Sequence, residues 1–500
     1  MLRLEQLLTR LGKYYHRRIK EINILPDDVL LEIFDFFCQT QNIHHVTSHR
    51  PADWLRLVHV CRRWRHIVLG SQRRLDLTLF CTYGTPVRRN MESLPPFPVI
   101  VDYLTLADSC ADFRSLAPDY HDDIIAALEH PDRVRSLKLD VTSSLLEVAA
   151  PVLQEPFPAL TTLWLSSKDP DAPVVPDISS SGPAPHLWQI ILEGISFPTL
   201  PTLLSSASNL VDLQLENIPQ SGYISPEVMA TSMAPLDRLR TLSICFKAPI
   251  SRLQLRSSPV TRHVLLSLVS FNFHGSSDYL EHLLAQVDTP KLRSINITYF
   301  NQLDFQVPQL SLLIRRTERL KLAHSRHSQG RIRINSPYVK LDFSEEGNGR
   351  SGVSLCISCK WLDWQVLHLA QIVGQSPDMV SNVEHLSIYE NDLQLEPGWN
   401  DSMDDTDWLE LFRPFTAVKM LHGSKQLAGH IALALGNVSG EMITEVLPAL
   451  ASLSLEDQPL TSVEKLLTAR QISGHPVACF GLLGRCECIL AEAPSRLRHF

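Results

Sequence analysis

At 500 residues the chain exceeds the ~250–300 residues at which single cores stop growing, so it holds either several domains or an elongated repeat array. Its 44% hydrophobic and 20% charged residues give an ordinary globular composition and exclude a disordered chain, and a formal net charge of −8 offers no electrostatic footprint for nucleic acid. No run approaches the ~20 apolar residues that cross a bilayer, no secretory signal opens the chain, and ten irregularly spaced cysteines argue for reduced, buried thiols; action in the cytoplasm or nucleus is expected.

The first predicted element, residues 1–21, is an amphipathic helix: Leu2, Leu4, Leu7, Leu8, Leu11 and Tyr15 recur at helical spacing beside Arg10, Lys13, Arg17, Arg18 and Lys20. Glu5 and Glu21 weigh against a mitochondrial presequence or a membrane-surface helix, which leaves a helix packing ahead of the first domain.

At Leu25-Pro26-Asp27-Asp28 a second helix opens, its proline placed where a missing N–H costs nothing and its aspartates set against the positive end of the helix dipole. Val29, Leu30, Ile33, Phe34 and Phe37 fall on one broad apolar stripe that must be covered. After a polar loop containing His44, His45 and His49, Pro51 and Asp53 announce one more amphipathic helix carrying Trp54, Leu57, Val58, Cys61, Trp64, Ile67 and Val68. Two or three such helices in about fifty residues bury little surface alone, so a protein partner is the economical explanation.

These residues resemble the F-box family: the Leu25-Pro26 start, the Val29-Leu30-x-x-Ile33-Phe34 helix, and Leu57-Val58-x-Val60-Cys61-Arg62-x-Trp64 with Ile67 behind it. The resemblance implies a small helical bundle over residues 22–72 that docks on a Skp-type adaptor, and through it on a cullin and a RING subunit. It places Leu25, Pro26, Val29, Leu30, Ile33, Phe34, Leu57, Val60, Cys61, Trp64 and Ile67 at adaptor-facing and core positions.

From Leu75 the pattern changes to the period-2 alternation of a strand, followed by a turn at Pro95-Pro96 and the apolar run Val99-Ile100-Val101; residues 73–132 are read as linker and first solenoid strands. One motif then recurs: Val134-x-x-Leu137-x-Leu139, Leu160-x-x-Leu163-x-Leu165, Leu187-x-x-Ile190-x-Leu192, Leu210-x-x-Leu213-x-Leu215 and Leu239-x-x-Leu242-x-Ile244. Further copies follow at Leu292-x-x-Ile295-x-Ile297, Val383-x-x-Leu386-x-Ile388 and Leu450-x-x-Leu453-x-Leu455. The intervals approach the leucine-rich repeat period of ~20–29 residues, and segments such as Asp278–Ala285 and Trp364–Ile372 supply a helix between strands.

Residues 133–500 are therefore expected to form a degenerate leucine-rich-repeat solenoid, so that the chain is an α+β / α/β solenoid protein with a helical N-terminal module followed by a curved strand–helix array, and with an insertion or irregular curvature between Arg331 and Gly352. The whole arrangement resembles F-box proteins of mushroom-forming (basidiomycete) fungi, with echoes at Gly84-Thr-Pro-Val87, Ile124–Asp132 and Gly222–Pro226.

Little argues for chemistry. Cys356-x-x-Cys359 lacks a second pair at zinc spacing, since Cys479, Cys486 and Cys488 lie far downstream, and strand alternation points its two thiols to opposite faces. Asp401, Asp404, Asp405 and Asp407 lack the glycine and terminal glutamate of a calcium loop and read as a helix start near Trp408. No phosphate loop, nucleophile elbow or His-Glu-x-x-His occurs, and the twenty histidines show no ligand spacing, so no cofactor and no catalytic residue are expected. Asn296-Ile-Thr298 and Asn437-Val-Ser439 match the glycosylation pattern but carry no meaning without secretion.

In a Leu-x-Leu strand the residues between and after the buried leucines point to the open face. One column then holds Lys138, Trp164, Gln214, Asn296 and Ser387, and the next Asp140, Ser166, Glu193, Glu216, Thr298, Tyr389 and Glu456. Trp164 and Tyr389 are candidate client anchors, with Lys138, Asp140, Glu193, Gln214, Glu216 and Asn296 beside them; a covering loop over Trp164 is the alternative. The leading reading is a non-catalytic substrate receptor of a ubiquitin ligase. An F-box scaffold without a ubiquitylation role is the second, and a hydrolase or transferase hidden in the solenoid the third.

Overall fold

The computed structural model describes residues 25–487 except 43–53, 72–74, 76, 84, 105–119, 171, 176–184, 250–261, 318–319, 321–328, 336, 345–351, 360–361, 391–404, 439–441, 459, 478 and 483–484. The expected helix over residues 1–21, the loop histidines 44, 45 and 49, and Asp401 and Asp404 lie outside them. The chain divides into two compact units, Met1–Leu165 with Ser180–Ala184, and Ser166–Ser179 with Pro185–Phe500.

The first unit begins with three helices, α1 (Asp27–Asn42), α2 (Trp54–Val58) and α3 (Arg62–Gly70). Pro26 stands just ahead of α1, and its carbonyl accepts the first helical hydrogen bond, from Leu30 N at 3.0 Å. The Cys61 thiol caps α3 by accepting from Trp64 N at 3.5 Å. Arg63 joins the two helices, donating to Asp27 Oδ1 at 2.5 Å and to the Leu25 carbonyl at 2.6 Å.

Four strands follow with their helices: β1 (Leu79–Cys81), α4 (Val87–Ser93), β2 (Val99–Tyr103), α5 (Tyr120–Leu128), β3 (Val134–Asp140), α6 (Ser143–Leu153) and β4 (Thr162–Ser166). β1, β2 and β3 form a parallel ladder, and β4 lies beside β3. Leu75 and Leu77 are buried, yet the strand expected from Leu75 begins only at Leu79. The physical reason lies in β2, which is preceded by Pro95, Pro96 and Pro98, residues with no N–H to extend a ladder. Trp54 fastens the helices to these strands, donating from Nε1 to the Thr78 carbonyl at 2.7 Å and packing on Phe97 at 5.0 Å between ring centroids. The expected module of residues 22–72 and the strands of residues 73–132 thus share one compact unit.

The second unit continues the alternation: β5 (Gln189–Glu193), α7 (Leu200–Ser206), β6 (Asp212–Ile218), α8 (Pro226–Met233), β7 (Thr241–Phe246), the short β8 (His263–Val264), β9 (Ser270–Gly275), α9 (Ser277–Gln286), the short β10 (Val287–Asp288), β11 (Ser294–Tyr299) and α10 (Pro308–Arg316). Then come β12 (Gln329–Asn335), β13 (Tyr338–Ser344), β14 (Gly352–Ser358), α11 (Leu362–Gln375), β15 (His385–Glu390), α12 (Asp405–Phe412), β16 (Met420–Gly423), α13 (Lys425–Gly436), α14 (Met442–Glu445), β17 (Ser452–Leu455), α15 (Glu464–Ile472), β18 (Cys479–Leu482) and β19 (Arg485–Glu487).

Its main sheet is parallel except at two places. β5, β6, β7, β9, β11 and β14 run side by side, then β13 enters antiparallel between β14 and β12, and the parallel order resumes with β15, β16, β17 and β18. β19 closes against β18, also antiparallel. The insertion expected between Arg331 and Gly352 is this hairpin, built from the alternating runs Gly330–Asn335 and Tyr338–Phe343.

Register makes one continuous apolar ladder on the covered face: Leu192, Leu215, Ile244, Phe273, Ile297, Leu355, Leu341, Ile332, Ile388, Gly423 and Leu455 are successive neighbours. All its side chains are buried. Gly423 interrupts it because Ile431 of α13 already fills that space; a Cβ would come 3.0 Å from both Ile431 Cδ1 and Leu455 Cδ2. Two glutamines of α11 fasten the hairpin repeat. Gln365 Nε2 donates to the Asn335 and Cys359 carbonyls at 3.0 and 2.5 Å, and Gln375 accepts from Val307 N at 3.1 Å while donating to the Phe305 carbonyl at 2.5 Å. The array is a leucine-rich-repeat-type succession of strands and helices.

Glu281 joins neighbouring helices in this unit. Its carboxyl accepts from Gln309 N at 2.5 Å and Leu310 N at 3.0 Å, so a side chain of α9 caps the first turn of α10. Burial pushes its pKa from 4.5 up to about 7, against the pull of those two N–H donors. A folded-state value above the unfolded one makes the Glu281 contribution to stability fully present below about 4.5 and lost as pH rises through about 7. Denaturant unfolding of the full chain at about pH 5 and about pH 8 is therefore expected to show lower stability at the higher pH, with the difference reduced in Glu281→Gln.

Candidate functional site

The α1 helix has two apolar faces, and the structure separates them. Leu30 and Phe34 turn inward at 0% and 1% exposure, Phe34 meeting Trp64 at 4.7 Å between ring centroids, with Leu57, Val58, Ile67 and Val68 also buried. Val29, Ile33 and Phe36, spaced four and three residues apart, turn outward at 39%, 46% and 69%, and Val60 beyond α2 is also exposed. Residues that share helical spacing thus divide into a core set (Leu30, Phe34, Leu57, Ile67) and an outward set (Val29, Ile33, Val60), with Pro26 exposed and Leu25 and Trp64 half-buried. Cys61 serves as the cap of α3. Phe36 belongs to the outward face although the sequence stripe omitted it in favour of Phe37; its spacing from Val29 and Ile33 was the available signal.

The open face of the first unit carries Lys138, Asp140 and Trp164. Lys138 Nζ lies 3.6 Å from Asp102 Oδ2 and 6.0 Å from the centre of the Trp164 ring. Trp164 is half-buried and its indole N–H is enclosed without a hydrogen-bond partner, while Asp140 stands half-buried at the end of β3. Of the two proposed anchors, Tyr389 is the more open: it is 37% exposed and packs on His422 at 5.5 Å between ring centroids.

On the second unit the open columns are continuous. Gln214, Ser243, Asn272, Asn296, Ser354, Asp342, Arg331, Ser387, His422 and Ser454 are successive register neighbours, so Gln214 and Asn296 share one row. In the next row Glu193 lies directly opposite Glu216, which accepts from Ser243 Oγ at 2.5 Å. Further along, Thr298, Cys356, Lys340, Arg333 and Tyr389 are neighbours. Burial holds His274, between these groups, below its ordinary pKa against the opposing pull of Glu216, which keeps the ring neutral near pH 7.

Sequence reasoning placed Asn296 and Tyr389 on this face but missed Asn272, Ser354, Lys340, Arg331 and Arg333. The β9 repeat was overlooked because Leu268-x-x-Phe271-x-Phe273 carries phenylalanine where the other copies carry aliphatic residues, and the hairpin follows no leucine pattern. The alternation of Arg331-Ile-Arg-Ile and Tyr338-Val-Lys-Leu-Asp-Phe was the signal that could have found it.

Cys356 faces the open side and Cys359 is buried, the opposite facing that strand alternation demands. Burial pushes the Cys356 thiol up from its ordinary value, which favours the protonated form. Among the described residues no group of His, Cys, Asp and Glu side chains converges as a metal site, and no helix is long and apolar enough to cross a membrane.

A search of curated proteins finds no match. Among solved structures, an internalin from Listeria monocytogenes is 11% identical, with 69% of this chain and 81% of that one covered at a TM-score of 0.26. The leucine-rich repeat-containing protein LegL7 from Legionella pneumophila is 13% identical, with 80% and 98% covered at a TM-score of 0.24. What does match, over residues 22–77 and thus over the helices whose outward stripe has just been described, is the F-box-like family.

Proposed function

We propose that the chain is the substrate-recognition subunit of a Skp adaptor–cullin–F-box ubiquitin ligase. The observation that carries this reading is the outward stripe Val29, Ile33 and Phe36 with Val60, an apolar surface on a module that matches the F-box-like family. A helix gains nothing by holding such side chains in water, and burying each fully against a partner is worth roughly 1.5–3 kcal/mol. Leu25 and Pro26 set the start of that helix, and Leu30, Phe34, Leu57, Cys61, Trp64 and Ile67 hold the stripe in place from behind. The cullin and the RING subunit would be reached through the adaptor, in the cytoplasm or nucleus.

The repeats supply the other half of the role. Their open face presents amides, hydroxyls, charged groups and the exposed Tyr389, which suits a polypeptide client better than a small molecule. The protein itself breaks no bond in this account; it raises the effective concentration of a client beside a ubiquitin-conjugating enzyme. The resemblance to F-box proteins of mushroom-forming fungi belongs to the same proposal.

Co-purification of the full chain with a Skp-type adaptor tests the first half. Ile33→Glu with Phe36→Glu is expected to abolish capture while leaving thermal unfolding unchanged, because both side chains already face solvent. Persistent capture by this variant would refute the stripe as the adaptor surface. Leu30→Ala, at a fully buried position, is expected to lower stability by about 2–5 kcal/mol in denaturant titration and to weaken capture only through that loss. With a client in hand, Tyr389→Ala is expected to slow or prevent its ubiquitylation in a reconstituted ligase and leave adaptor binding intact; unchanged ubiquitylation would remove Tyr389 from the client surface.

A further inference from the structure

The inserted hairpin changes the charge of the open face. Arg331 and Arg333 of β12 are exposed there, with Lys340 of β13 directly opposite Arg333 and Asp342 opposite Arg331. Asp342 is contacted by Arg333, by Ser354 Oγ at 2.7 Å and by Lys340 Nζ at 3.1 Å. Burial opposes its ionisation, but those three partners hold it below its ordinary value, so it stays charged near neutral pH. Among the described residues of the hairpin, three cations therefore face one carboxylate, a local surplus of positive charge on a chain whose formal net charge is −8.

Beside these cations the sheet forms an open cleft of about 380 Å³, lined by Asn272, Asn296, Thr298, Tyr338, Lys340 and Ser354 among others. Beside the apolar surface of Ile297 and Cys356 its walls offer amides, hydroxyls and an ammonium, donors that suit a compact, hydrogen-bond-accepting anion. Lys340 belongs to both the wall of the cleft and the cationic row. The facing pair Glu193 and Glu216 lies on β5 and β6 of the same sheet; from Glu216 to Lys340 is five strand steps, ~24 Å at ~4.8 Å per step. An anionic group is thus drawn toward the hairpin and repelled from the β5–β6 strands.

We propose that this cleft is the subsite that receives an anionic side chain of the client polypeptide, with Lys340 and Arg333 supplying the counter-charge and Asn296, Thr298 and Ser354 the hydrogen bonds. Tyr389, the register neighbour of Arg333, then stands where an adjoining client residue would pack. The inference rests on the open face being the client surface, but not on adaptor binding, and its test keeps the two apart.

The experiment titrates the full chain with four fluorescently labelled, otherwise degenerate short peptide pools whose central residue is fixed as glutamate, phosphoserine, serine or lysine. The glutamate or the phosphoserine pool is expected to bind about tenfold tighter than the serine pool, and the lysine pool more weakly than any other. Whichever anion binds better identifies the source as a carboxylate or a phosphate. Arg333→Gln with Lys340→Gln is expected to erase the preference while its adaptor capture matches the wild type, its thermal unfolding temperature falling because Asp342 loses two of its partners; Glu193→Gln is expected to keep the preference. Equal binding of all pools, or a preference that survives the double substitution, would overturn the proposal, as would displacement of no peptide anion by excess inorganic phosphate.

Discussion

A strand–helix repeat cannot bury its own apolar edge, and everything in the second unit follows from how the repeats solve that together. Leu192, Leu215, Ile244, Phe273 and Ile297 stand in register on the covered face, and the same row runs on through Leu355, Leu341, Ile332 and Ile388. Because strand side chains alternate with a period of two, locking this row inward forces Gln214, Asn296, Lys340 and Tyr389 outward. A one-residue slip anywhere would exchange the two sets, so the core and the open face are specified by the same interaction. The hairpin β12–β13 keeps that parity although it reverses strand direction, which is why an insertion adds charge to the open face without breaking the core.

The helical module obeys a different constraint. Its core is made by Leu30 and Phe34 of α1 with Trp64, Ile67 and Val68 of α3, and little apolar surface is available to so few helices. Trp54 relieves the shortage by reaching to Thr78 and Phe97, so the module leans on the first strands of its own unit. Val29, Ile33 and Phe36 of α1 stay exposed. Among the described residues the stripe is an exposed apolar surface.

Much of this was legible in the sequence where spacing and residue type agree. Leu210-x-x-Leu213-x-Leu215 reads as a repeat strand because its leucines meet both the period of two and the repeat interval, and β6 lies there. Ser277–Gln286 and Leu362–Gln375 are helices where apolar periodicity placed them. The division of α1 into two faces was not legible, because helical spacing reports that Val29, Leu30, Ile33 and Phe34 are neighbours but not which of them meets the rest of the module. Nor was the cleft, whose lining comes from four strands that only the register brings together: Asn272, Asn296, Ser354 and Lys340 are far apart along the chain.

The central claim is that the outward face of α1 is an adaptor surface and the repeat sheet is not. Hydrogen–deuterium exchange of the full chain, free and bound to a Skp-type adaptor, tests it most directly. The account predicts new protection over residues 27–37 and around Val60, with exchange across β12 and β13 unchanged. Protection confined to the repeat strands, with none in α1, would contradict it.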